Sequence, residues 1–221
     1  MIAQEIQALH EELAGTGARL VAVSKFHPVE ALMEAYDAGQ RIFGESRAQE
    51  FLAKVPQMPQ DVQWHFIGHL QTNKVRQLMG KTALIESVDS ERLLDCIDRE
   101  SQKAGVVTRV LMQLHVAREE TKTGFSPEEL MDYFRARRFE ALKATHICGV
   151  MGMASNTDDS GRISEDFRKI RSCYDAICEL CPDLTGFDIV SMGMSGDYPL
   201  AIECGANLVR VGTAIFGQRD Y

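Results

Sequence analysis

A lysine amine and two sets of hydroxyls beside glycines are the groups in this sequence that could take a carbonyl compound and grip an anion attached to it. Leu20, Val21, Ala22 and Val23 form an apolar run of the kind found in strands buried on both faces, and Lys25 stands where that strand ends. Pro28 then fits the first turn of a following helix. A long cation is costly inside a core, so Lys25 is expected to point into a site; the more ordinary role is the solvated stop of a strand. Far along the chain, Ser191-Met-Gly-Met-Ser195-Gly196 and Arg210-Val-Gly212-Thr213 offer small residues through which backbone amides and hydroxyls can approach an anion. A helix starting just after Asp197 would turn its positive end toward the same place.

For a buried amine the matching electrophile is a carbonyl, and an anion grip nearby leaves two main chemistries. One is pyridoxal 5'-phosphate held as an internal aldimine; the other is a sugar-phosphate aldolase using the lysine alone. In both, the amine must be neutral to attack, so its pKa has to fall from about 10.4 through burial or a neighbouring cation.

Positioning these groups falls to a regular alternation. Strands are expected at Leu20–Val23, 41–46, 64–68, 83–88, 108–116, 147–153, 188–194 and 208–217, with helices between them. Ser126-Pro-Glu-Glu129 spells a capping box with proline at the first helical position, and Asp89 or Ser90 can cap the helix before it. A long helix is expected from Ile163 to about Leu180. Ile2, Ile6, Leu9 and Leu13 recur at helical spacing and predict an N-terminal helix laid against the rest. Alternation of this kind means parallel strands with helical crossovers, and eight such units suit a small single-domain (β/α)8 TIM barrel spanning residues 1–221. The open doubly wound sheet would carry a glycine-rich turn after its first strand, and here that turn is Lys25-Phe-His-Pro28. In a barrel, chemistry collects at the C-terminal strand ends, and Lys25 on strand one neighbours strand eight on closure.

Several motifs together resemble a known family. They are Val23-Ser-Lys25, Phe43-Gly-Glu45, Trp64-His-Phe-Ile-Gly-His-Leu-Gln-Thr-Asn-Lys74, Ser191-Met-Gly-Met-Ser195 and Val209-Arg-Val-Gly-Thr-Ala-Ile-Phe-Gly217. In this order they resemble the YggS/PROSC family of pyridoxal-phosphate homeostasis proteins. The resemblance implies a fold-type III barrel like the N-terminal domain of alanine racemase, with Lys25 as the Schiff-base lysine. It also implies that the cofactor phosphate lies against Ser195, Gly212 and Thr213, with Arg210 near the pyridine nitrogen. One departure is Ser46, where the family usually has asparagine, so a contact made by that longer side chain is in question here. An arginine at the ring nitrogen donates a hydrogen bond without readily supplying a proton, which disfavours carbanion chemistry. Racemases that resemble this chain add an acid–base residue from a separate domain, and the sequence ends four residues after Gly217. The expectation is therefore a binder and donor of pyridoxal phosphate acting in vitamin B6 homeostasis, with PLP-dependent apo-enzymes as recipients. A one-domain racemase-like enzyme and a cofactor-free Schiff-base aldolase are the rivals.

Other features carry plainer readings. His65 and His69 lack the helix and glutamate of a zinc-protease motif, so no metal is expected. Lys74 and Lys122 are second amines that could assist cofactor transfer or simply be solvated. Arg135, Arg137 and Arg138 suit a helix C-terminus. Met151, Met153, Met192 and Met194 either line the cofactor face or fill the core. A net charge of -8 argues against nucleic acid or an anionic membrane as partner, and no apolar run approaches the ~18 residues of a span. Six scattered cysteines, one Cys178-x-x-Cys181 pair among them, are read as reduced thiols of a cytoplasmic protein, and a monomer is expected.

Overall fold

The computed structural model describes residues 1–116 and 123–218. Their chain order is α1 (Ile2–Leu13), β1 (Arg19–Val23), α2 (Val29–Asp37), β2 (Ile42–Glu45), α3 (Ala48–Lys54), β3 (Gln63–Phe66), α4 (Val75–Leu78) and β4 (Leu84–Val88). It continues with α5 (Glu91–Ala104), β5 (Thr108–Leu114), α6 (Pro127–Arg135), β6 (Thr145–Gly152), α7 (Ser160–Leu180), β7 (Ile189–Ser191), α8 (Tyr198–Glu203), β8 (Leu208–Val211) and α9 (Thr213–Phe216). The strands close into a parallel barrel in sequence order, with β1 sealing the ring against β8 through Arg19↔Leu208 to Ala22↔Val211. The (β/α)8 fold is thus as expected.

Alternation along the strands sorts the apolar residues into two bodies. Val21, Leu84, Leu111, Cys148, Met151, Ile189 and Leu208 fill the barrel interior. A larger body, including Ala22, Phe43, Trp64, Val110, Ile147 and Val209, packs between strands and helices. α1 turns Ile6, Leu9 and Leu13 into that outer layer, as its spacing predicts. Ser126 Oγ accepts from the Glu129 amide while the Glu129 carboxylate accepts from the Ser126 amide, so the capping box forms; Ser90 caps α5 through the Leu93 amide.

Three expectations are corrected. The eighth strand stops at Val211, and Thr213–Phe216 is a short helix. The β-branched run continues past the point where β1 offers partners, since Ala22↔Val211 is the last pair of the seam, so tertiary context overrides strand propensity. The helix expected between the strands at 64–68 and 83–88 is a 3-10 turn at Thr72–Lys74 followed by one α-turn in α4. α7 starts at Ser160, not Ile163, because Asp159 caps it by accepting from the Gly161 and Arg162 amides.

Candidate cofactor site

At the C-terminal ends of β1, β7 and β8 lies a cavity of about 270 Å³, at the small end of the range for cofactor clefts. Lys25, Ser195, Arg210, Gly212 and Thr213, the five residues singled out from the sequence, all line it, together with Val23, Ser46, Ile67, Met153, Met194 and Gly196. Lys25 follows β1 in a turn and is half-buried. The next residue, Phe26, is held at φ 68°, a left-handed conformation uncommon outside glycine. His27 stacks on Phe216 at 4.9 Å between ring centroids, tying this turn to α9.

The anion cup is built by two tight turns. After β7, Gly193 adopts φ 94°, and a Cβ there would stand 2.6 Å from that of Ala201, so the turn closes onto α8 only with glycine. Asp197 Oδ1 accepts from the Met194 amide at 2.5 Å, which presents Ser195 to the cavity. Ser195 Oγ in turn accepts from the amides of Gly212 (3.1 Å) and Ala214 (3.5 Å), the first residues beyond β8. Ser195, Gly212 and Thr213 thus stand together at one end of the cavity, with the Ser195 hydroxyl held in place by the two amides.

Across the cavity floor runs a buried polar chain. His65 Nδ1 lies 2.6 Å from Glu86 Oε1; Ser191 Oγ donates to Glu86 Oε2 at 2.5 Å; Arg210 Nη1 donates to Ser191 Oγ at 2.5 Å and Nη2 to the Gly152 carbonyl at 2.9 Å. Arg210 is 4% exposed and lies 3.6 Å from Glu86. Burial alone would push the Glu86 carboxyl up, but the His65 hydrogen bond and charge, the Arg210 charge and the Ser191 hydroxyl outweigh it and hold it below the usual carboxylate range. Burial pushes Arg210 below its ordinary value, and Glu86 and Asp197 oppose that shift. Glu86 was not singled out from the sequence. A carboxylate in the apolar strand Leu84–Val88 needs a buried partner, and that was the available signal.

The remaining candidates separate cleanly. Met153 and Met194 line the cavity, whereas Met151 and Met192 are core. Ser46 lines the wall, and Gly68 packs so close to its carbonyl that a Cβ would stand 2.1 Å away. Lys74 lies in the exposed 3-10 turn and does not line the cavity. Lys122 and the neighbouring Arg118 lie outside the described residues. His69 pairs with Asp89 at 2.9 Å, and among the described residues no three His, Cys, Asp or Glu side chains converge as a metal site. Arg135, Arg137 and Arg138 are each paired, with Asp132, with Glu140 and Asp183, and with Glu91. All six cysteines are free. No helix among the described residues is long and apolar enough to cross a membrane.

This arrangement of strand-end lysine, two-turn anion cup and buried arginine in a parallel barrel defines the class. The chain belongs to the family described as alanine racemase, N-terminal domain, which matches residues 1–220. It is 40% identical over 215 residues to the pyridoxal phosphate homeostasis protein of Aquifex aeolicus, covering 95% of this chain and 92% of that one. Identity to the protein of the same name from Schizosaccharomyces pombe is 39%, over 96% and 88% of the two chains. Among solved structures, PipY of Synechococcus elongatus PCC7942 with PLP bound superposes with a TM-score of 0.88 at 34% identity, covering 98% of this chain and all of that one. The alanine racemase of Corynebacterium glutamicum shares the fold, with a TM-score of 0.77 at 13% identity over all of this chain and 61% of that one.

Proposed function

We propose that this protein binds pyridoxal 5'-phosphate covalently on Lys25 and acts in homeostasis of that cofactor, without turnover of an amino-acid substrate. The observation that carries the reading is the single cavity joining Lys25, the Ser195–Gly212 cup and Arg210. Pyridoxal phosphate brings an aldehyde for the amine, a phosphate monoester for the cup and a pyridine nitrogen for the arginine. The Ser195 and Thr213 hydroxyls bind the phosphate beside Gly212, with the Gly212 and Ala214 amides holding Ser195 Oγ in place. Arg210, held by Ser191 and Glu86, carries donors only, so it orients a ring nitrogen without delivering a proton to it. The side chains on the page therefore favour holding the cofactor over stabilising a carbanion.

Chains 34–40% identical that are named for pyridoxal phosphate homeostasis, or were solved with PLP bound, support the same reading. The whole chain acts as one barrel domain with its N-terminal helix packed alongside. Free cysteines and a net charge of -8 favour a cytoplasmic monomer that passes its cofactor to PLP-dependent apo-enzymes.

The test is an absorbance spectrum of the purified protein with pyridoxal phosphate, before and after borohydride, beside Lys25→Ala. The expected result is a visible band that borohydride abolishes, reduced cofactor on the Lys25 peptide, and neither in the variant. A protein that stays colourless with added pyridoxal phosphate overturns the reading. Sustained racemisation of an added amino acid would replace the carrier role with an enzymatic one.

A further inference from the structure

Strand alternation puts Val23 and Lys25 on the cavity side of β1, and Gly44 and Ser46 on that side of β2. Ser24 and Glu45 therefore face the opposite way, into the layer between barrel and helices, where both are fully buried. There Lys54, the last residue of α3 and only 5% exposed, donates to three oxygens. They are the Ser24 carbonyl (2.8 Å), Glu45 Oε1 (2.7 Å) and Glu50 Oε1 (2.6 Å). The Ser24 hydroxyl donates to the same Glu45 oxygen at 2.7 Å, and the Phe26 amide donates to Glu50 Oε1 at 2.6 Å.

The carbonyl of Ser24 and the amide of Phe26 belong to the two peptide groups that flank Lys25. One buried ion cluster thus grips the backbone on both sides of the residue that enters the cavity. A buried lysine is uncommon, and this one makes no contact with the cavity that would explain it. Phe26, at φ 68°, adds a second observation: a non-glycine residue stays in this region only where its surroundings over-determine it, and the Glu50 bond to its amide does so. The Arg47 guanidinium over the Phe26 ring, 4.6 Å from its centroid, pins the same residue from outside.

We propose that Lys54 is a positioning residue for Lys25, fixing with Glu45 and Glu50 the two flanking peptide groups so that the amine enters the cavity in one orientation. The inference rests on the cavity being the pyridoxal phosphate site, as argued above. Burial raises the Glu45 carboxyl above its usual range, with Lys54 and Ser24 opposing that shift, and Lys54 bridges Glu45 and Glu50 at nearly equal distances.

Cofactor-free full-length protein is mixed with pyridoxal phosphate in a stopped-flow instrument, separating a saturable first association from the covalent step. Two variants are compared with wild type: Glu50→Ala, which frees the Phe26 amide, and Glu45→Gln/Lys54→Met, which removes the cation together with the fully buried carboxylate and leaves the partly exposed Glu50 on the Phe26 amide. The covalent step is expected to slow about tenfold or more in each, with the first association within about twofold of wild type. A covalent step within about threefold of wild type in both folded variants overturns the proposal, as does an equal loss in both steps, which a purely structural role would give. A readout independent of the cofactor accompanies it: acetic anhydride labelling of the cofactor-free protein, with Lys25 followed against the exposed Lys74. The Lys25-to-Lys74 ratio is expected to change in the variants, and an unchanged ratio overturns the proposal. If wild type takes no cofactor on Lys25, the proposed function falls, while the labelling ratio still decides whether Lys54 sets the aim of Lys25.

Discussion

Glu45 and Glu86 are both fully buried carboxylates, on β2 and β4 with β3 between them, yet their surroundings drive them in opposite directions. Glu86 looks into the barrel and has both oxygens bonded, one by His65 and one by Ser191, with Arg210 close by. Glu45 looks out toward α3, and both of its donors, Ser24 and Lys54, fall on Oε1; Oε2 is buried with no hydrogen-bond partner among the described residues. Burial opposes ionisation at both sites. Where both oxygens are served the carboxyl is held below its usual range, and where one is left over it rises. At Glu86 a histidine, an arginine and a hydroxyl together outweigh burial, whereas at Glu45 burial and the nearby Glu50 charge outweigh Lys54 and Ser24. In functional terms the inner cluster fixes Arg210 at the cavity floor, and the outer cluster fixes the backbone of Lys25 from behind the wall.

The contrast can be broken most directly at Glu86. Glu86→Gln removes the counter-charge of buried Arg210 and is expected to cost about 3–5 kcal/mol in urea unfolding; a loss below about 1 kcal/mol would mean that Arg210 does not depend on it. Glu45→Gln keeps an acceptor for Ser24 and Lys54 and replaces a carboxylate that already leaves one oxygen unpaired, so its cost is expected to be smaller, about 1–2 kcal/mol. A cost matching that of Glu86→Gln would mean that the unpaired oxygen makes no difference, and the comparison would fail.

The smallest effect is a difference in pH slope. Glu86, with its folded pKa lowered, contributes stability that is fully present above the unfolded value of about 4.3 and is lost as pH falls through the lower folded value. Glu45, with its folded pKa raised, contributes stability that is present below about 4.3 and is lost as pH rises through the higher folded value. Urea midpoints collected from acid to neutral pH are therefore expected to lose their acid-side fall in Glu86→Gln and, in Glu45→Gln, the fall that sets in as pH rises above about 4.3. Identical slopes in both variants would contradict the opposed shifts.

Much of this site is legible from the chain because its parts are local. A strand running into Lys25 and two turns of small residues each announce themselves within a few positions, and all five named residues meet in one cavity. The barrel is legible for a similar reason, since capping at Ser126 and Ser90 and the apolar runs are short-range signals. Glu86 and the Glu45–Lys54 cluster were not read because their meaning lies in partners on other strands, and a lone glutamate in an apolar run does not say which cation it faces. The end of β8 was misread because Val-Gly-Thr-Ala-Ile-Phe has strand character, while its pairing is limited by where β1 ends. Among the methionines, Met151 and Met153 share the inward face by period-2 alternation, and what separates them is depth along the barrel: Met151 packs in its interior and Met153, beyond the end of β6, lines the cavity.

The seam between β1 and β8 has a consequence for how the protein becomes competent. Lys25 follows the first strand made on the ribosome, and the Ser195–Gly212 turns lie around the last. Nascent chain therefore carries the amine long before it carries the grip, and the slow, long-range pairing that closes the ring is also the event that creates the pocket. A ligand bridging the two ends is bound only by the closed ring, so a cofactor held as proposed would act on newly made chains as a latch on the final folding step.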